Sequence, residues 1–151
     1  MLFFLSCADK KENPLEVADA ESKDLTYDSS EAYQLLKNQC YACHSPVSSS
    51  HDVIIAPPMA AVKLRYGRSY TSKDEFVKAM VSWTMNPDKD KALMRGAVDK
   101  FQLMPKQSFA ESDMRKIASY VYDNQLEEPT WFAAHEKEMH AKGGRMRQGM
   151  P

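Results

Sequence analysis

The part of this 151-residue chain whose residue types and spacing can do chemistry is Cys40-Tyr-Ala-Cys43-His44. Two thiols three positions apart on one turn of chain reach the two vinyl groups on one side of a porphyrin. The histidine that follows then points its imidazole at the iron from one face. Cys-x-x-Cys-His is the attachment signal for a covalently bound haem, and covalent attachment keeps the cofactor in place when the local structure breathes. Two other readings compete. A thioredoxin-like redox pair opens a helix, whereas this pair closes one and has no β-α-β pattern around it. A zinc site needs four ligands in a compact set. His51, His135 and His140 are not paired with a second Cys-x-x-Cys, although His51 lies near enough in sequence to keep that reading open.

The elements that must position the motif read as helices. Ser29 or Ser30 can cap a first helix, with Glu31 in its first turn and Ala32, Tyr33, Leu35 and Leu36 as its apolar face, running directly into Cys40. A Ser-rich loop follows, and Ala56-Pro-Pro-Met59 cannot lie inside a helix. Ser72-Lys-Asp-Glu75 is a capping box opening a helix with Phe76, Met80 and Trp83 on one face, ending before Pro87. A shorter helical stretch is expected around Lys89 to Val98. Ser108-Phe-Ala-Glu111 then reads as a capped start for an amphipathic helix through Met114, Ile117, Ala118, Val121 and Tyr122 to about Gln125. One more helix is expected from Pro129 to Ala141, stopped by Gly143-Gly144, before a basic tail. No strand alternation is present, so the fold class is all-α.

Composition bounds what the chain can be. Hydrophobic residues make up 43% and the net charge is −1, a globular balance with no basic excess to hold nucleic acid. No apolar run approaches the ~18 residues of a membrane-spanning helix. Three cysteines are present: Cys40 and Cys43 suit haem attachment, and Cys7 suits a lipid.

The order of these features resembles a class I cytochrome c domain over about Ser29 to Gln125. The matching residues are the helix entering Cys40-Tyr-Ala-Cys43-His44, the loop Ala56-Pro57-Pro58-Met59, and Leu103-Met104-Pro105 before a final helix. The resemblance implies a cytochrome c-like helical fold around one haem c, with His44 as proximal iron ligand and Met104 as distal ligand. Histidine–methionine ligation is a standard cytochrome c solution, in which the thioether favours reduced iron. Pro105 keeps Met104 off a helix and in a defined loop. The resemblance further implies a proline carbonyl that orients His44, for which Pro57 is chosen with Pro58 adjacent, and first and last helices that cross near perpendicular. Trp83, Tyr70 and Arg65 are candidates to bond the haem propionates, and Met59 to pack against the ring. Met80, Met94 and Met114 sit at helical spacing among apolar neighbours and are expected in the core. Tyr33 and Tyr120 are expected where the terminal helices cross.

Outside that domain, Leu2 to Cys7 resembles a bacterial lipobox with Cys7 as the lipid acceptor, although no charged n-region precedes it and the apolar run is short. A start codon assigned too far downstream would account for both departures. The expected organisation is a lipid-attachment segment and polar tether at 1–28, the cytochrome domain at 29–126, and a helical extension with basic tail at 127–151. In the extension, Trp131, Phe132 and Met139 form an apolar stripe flanked by Lys137, Lys142, Arg145 and Arg147, expected to pack on the domain. These features imply an exported one-electron carrier, periplasmic or lipid-anchored, that serves redox partner proteins and meets the membrane only through its anchor. The alternative is a haem enzyme or gas sensor with a displaceable distal ligand.

Overall fold

The computed structural model describes residues 27–147, which contain six α-helices and no strand. The all-α reading holds. Cys7 and most of the expected tether lie outside the described residues.

The first helix, α1 (Ser29–Gln39), is capped by Asp28 rather than by Ser29 or Ser30: the Asp28 carboxylate accepts from Glu31 N at 2.8 Å. Both serines therefore lie inside the first turn. A helix that Pro57-Pro58 had masked comes next, α2 (Met59–Ser69). Pro58 is its N-cap, with the carbonyl accepting from Ala61 and Val62; proline suits a helix start because its missing N–H is not needed there. In α3 (Lys73–Met85) Ser72 caps the helix, its Oγ accepting from Glu75 N at 3.3 Å and donating to Glu75 Oε2 at 3.0 Å.

The stretch expected as one helix near Lys89 to Val98 is two pieces. A single 3₁₀ turn spans Lys89–Lys91, and α4 covers Arg95–Phe101. Asp88 caps only the turn, and Ala92 leaves it extended. Helix α5 (Glu111–Asp123) starts three residues after Ser108, and its N-cap Ala110 provides no side-chain bond. Ser108 does not cap it because the intervening Phe109 turns inward to pack against the core.

Helix α5 is the organising element. Its buried face (Met114, Ile117, Ala118, Val121) packs most extensively on α3, through Phe76, Val77 and Met80, and on α1 through Leu36. Lys63 on α2 donates its ammonium to the carbonyls of Tyr122 and Asn124 at the end of α5, where four carbonyls lack helical partners. Tyr33 of α1 and Tyr120 of α5 meet with ring centroids 5.6 Å apart.

The last helix, α6 (Phe132–Arg147), runs through Gly143-Gly144 instead of stopping there. Its start is docked firmly. Phe132 is 6% exposed, and Trp131 just before it donates its indole N–H to the carbonyl of Ser48 at 3.1 Å. Met139, at 52% exposure, does not join them, so the expected stripe is divided. Just before this helix, Glu127 accepts from the phenols of both Tyr33 (2.6 Å) and Tyr41 (2.9 Å).

Candidate haem site

The cysteine motif begins where α1 ends. Cys40 is the C-cap, its N–H returning to Leu36 O at 3.0 Å, and the next turn is closed by Cys43 N and His44 N donating to Cys40 O at 3.2 and 2.9 Å. One tight turn thus fixes both thiols and the imidazole relative to one another. Cys40 packs against the core and Cys43 is exposed. Burial, with a smaller push from Cys43, raises the Cys40 thiol to about 12. Thiol–disulfide exchange proceeds through the thiolate, the form that burial of Cys40 disfavours.

His44 is held from behind. Its Nδ1 lies 2.7 Å from the carbonyl of Pro57. A carbonyl can only accept, so Nδ1 carries the proton and Nε2 keeps its lone pair. Burial lowers the His44 pKa, against a smaller opposing pull from the Pro57 bond, which favours the neutral ring that binds metals. Bonds of this kind fix a ligating imidazole and raise its basicity.

Cys40, Cys43 and His44 form one wall of a cavity of about 330 Å³, predominantly apolar, enclosed by residues from α1 to α5 and their loops. The loop after α4 brings Met104 into the same cavity, with Leu103 and Pro105 on either side of it. Trp83 of α3 and Pro57 also line it. Arg65 and Tyr70 do not: the Arg65 guanidinium donates to the Leu93 carbonyl at 3.0 Å, and Tyr70 lies against Tyr66.

The methionines distribute differently from the sequence expectation. Met80 and Met114 are core residues whose side chains also reach the cavity wall. Met94 is not core; it is the N-cap of α4, half-buried, and lines the cavity. With Met59 and Met104, five methionines therefore face one space. His51 is elsewhere, stacked on His135 at 4.2 Å and edge-on to Trp131, with Lys100 Nζ at 3.0 Å from its Nδ1. Among the described residues no group of three or more His, Cys, Asp or Glu is placed to hold a metal ion, which leaves the zinc reading without a ligand set.

Three wall residues carry no signal in the sequence. Phe101 closes α4 against the cavity. Gln39 lies beside the cysteines, with its amide nitrogen 3.4 Å from Asp113 and its buried oxygen without a partner. Gln102 has a positive φ of 71°. Glutamine is common on any helix, and neither Gln39 nor Gln102 stands out by spacing.

The donor set fits a covalently held haem: two thiols and an imidazole nitrogen on one wall, thioethers within reach, and apolar side chains around the remainder. The comparison with known families agrees. The Cytochrome c family matches residues 29–125, and the chain belongs to that family. It is accordingly a haem-binding electron-transfer protein carrying covalently bound haem c. It is also similar to an uncharacterized protein of Aquifex aeolicus (strain VF5), 27% identical over 127 residues, covering 73% of this chain and 82% of that one. No solved structure matches it significantly. Among the described residues no helix is long and apolar enough to cross a membrane.

Proposed function

We propose that the chain is a mono-haem one-electron carrier in an exported electron-transfer chain. Cys40 and Cys43 would hold the cofactor through thioether bonds, and His44 Nε2 and the Met104 sulfur would ligate its iron. The observation that carries this reading is the convergence of those four side chains on one apolar cavity while Pro57 already engages His44 Nδ1. The bound haem supplies reversible one-electron chemistry at its iron. The protein's own groups set the conditions for it. Pro57 holds the imidazole in one tautomer and orientation, so little rearrangement accompanies a change of charge. The apolar wall excludes water. A thioether ligand favours the reduced state and raises the potential. Two protein ligands to the iron would leave no open position for a substrate, which favours transfer over catalysis. Trp83 belongs to the cofactor's surroundings.

Haem is attached to such motifs outside the cytoplasm, so the same reading places the protein in the periplasm or at a membrane surface, with Cys7 as its lipid acceptor and redox proteins as its partners. Absorption spectra of the purified protein in both oxidation states, before and after extraction with acidified acetone, test the central assignment. Colour that stays with the protein, a low-spin spectrum and a weak near-infrared sulfur-to-iron band are expected. Colour lost to the organic phase refutes covalent attachment. A high-spin spectrum with rapid carbon monoxide binding refutes the carrier reading in favour of catalysis or gas sensing. Labelling by a fatty-acid analogue that is equal in wild type and Cys7→Ser refutes the anchor.

A further inference from the structure

The chain turns out of α4 into the loop bearing Met104 at one residue. Gln102 has φ 71° and ψ 175°, and among the described residues no other non-glycine has a positive φ. That ψ lies far from the left-handed helical basin that asparagine and aspartate tolerate. It falls in the extended positive-φ region that is essentially restricted to glycine, where a Cβ is strained and persists only if its surroundings over-determine the backbone. The surroundings here do so. Phe101, just before the turn, lines the cavity as the last residue of α4. Just after it, Leu103 and Met104 return to the same cavity. Gln107 braces the loop by donating its amide to the Pro105 carbonyl at 2.7 Å, and Phe109 packs it against the core. Both ends are fixed, the reversal has to be made in one step, and no glycine occurs between Gly96 and Glu111 to make it.

We propose that Gln102 is a positioning residue that keeps the Met104 loop under load, so that the sixth iron position exchanges with small neutral ligands more readily than an unstrained loop would allow. The inference rests on Met104 being the sixth ligand. While the loop is closed, Gln102 must hold a positive φ. Release of the sulfur lets Leu103 and Met104 leave the cavity wall, which frees one of the two fixed ends and allows Gln102 to return to negative φ. The strain therefore burdens the loop while Leu103 and Met104 are packed on the cavity wall and shifts the balance toward opening, as any difference in free energy between two states does. Glycine at this position removes the load. Alanine keeps the Cβ, and with it the load, while deleting the amide. Valine, β-branched, adds to the load.

The test is an imidazole titration of the oxidised holoprotein, monitored by loss of the sulfur-to-iron band. Gln102→Gly is expected to weaken imidazole binding by roughly 3- to 10-fold, the strain relieved less the added freedom of glycine in the open loop. Gln102→Ala is expected to match wild type, and Gln102→Val to bind imidazole several-fold more tightly. If valine compromises folding, the glycine–alanine contrast still decides. A normal band with imidazole affinity in Gln102→Gly within twofold of Gln102→Ala, or tighter than it, refutes the load alone. Absence of the band in wild type, or its retention in Met104→Ala, refutes the ligand assignment and the load with it.

Discussion

Five methionines face the cavity, so truncating them one at a time separates ligation from packing. Met114 is 1% exposed on α5, in contact with the core on one side and the cavity on the other. Met114→Ala removes three buried heavy atoms. At about 0.8 kcal/mol for each methylene-sized group the transfer loss is roughly 2.4 kcal/mol. The space left in a close-packed region adds to that, for a total near ~3 kcal/mol, inside the usual range for such changes. Met94 is half-buried at the N-cap of α4 and outside the core cluster, so Met94→Ala should cost about 1 kcal/mol. Neither change should alter the sulfur-to-iron band. Met104→Ala should abolish it, open the iron to carbon monoxide and lower the reduction potential, because the thioether no longer favours reduced iron. Urea denaturation of each holoprotein gives the stabilities, and near-infrared absorption with redox titration gives the ligation. Loss of the band in Met94→Ala with retention in Met104→Ala would move the ligand to α4. A cost for Met114→Ala below that for Met94→Ala would overturn the packing argument.

Two further outcomes concern the junction of α6 with the loop after the cysteines. Trp131→Phe keeps an aromatic ring but removes the N–H that bonds Ser48, so a loss of about 1 kcal/mol is expected in denaturant, with the visible spectrum unchanged; no loss would mean that water replaces the bond without cost. The second is pH dependence. His51 faces Lys100 of α4 and His135 of α6, with Asp52 beside it at 3.8 Å. Burial, then Lys100 and His135, lower its pKa, and Asp52 only partly opposes them. A histidine with a depressed folded pKa binds fewer protons folded than unfolded, so its contribution is complete above the ordinary value of about 6.5 and is lost as pH falls below it. Stability measured from about pH 8 to about pH 5 should therefore decline more steeply in wild type than in His51→Gln. Parallel profiles would show that His51 does not contribute.

What the sequence disclosed and what it hid have separable physical causes. The Cys40–His44 chemistry was legible because a five-residue motif contains its own geometry. Helix α3 was legible because Ser72 and Glu75 satisfy each other locally. Helix α2 was hidden because Pro57-Pro58 reads as a break, when Pro58 is in fact the N-cap of that helix. Little within α2 announces a helix, for it contains Gly67 and buries only Met59 and Tyr66; packing holds it rather than propensity. Ser108 failed as a cap because tertiary contact claimed Phe109 first. Met94 looked like core by spacing, but spacing loses its meaning where the helix it assumes is broken at Ala92. In the cavity wall, the backbone of Gln102 was beyond reach, since residue type gives no reason to place glutamine at positive φ.

The two hydrogen bonds that Tyr33 and Tyr41 donate to Glu127 also have a consequence in time. Tyr41 belongs to the turn between the two cysteines, and its acceptor lies 86 residues further along the chain. As the polypeptide emerges from its N-terminus, the thiols are present long before the carboxylate that ties their turn down. The contact between Tyr41 and Glu127 therefore cannot form until the segment beyond α5 has been made.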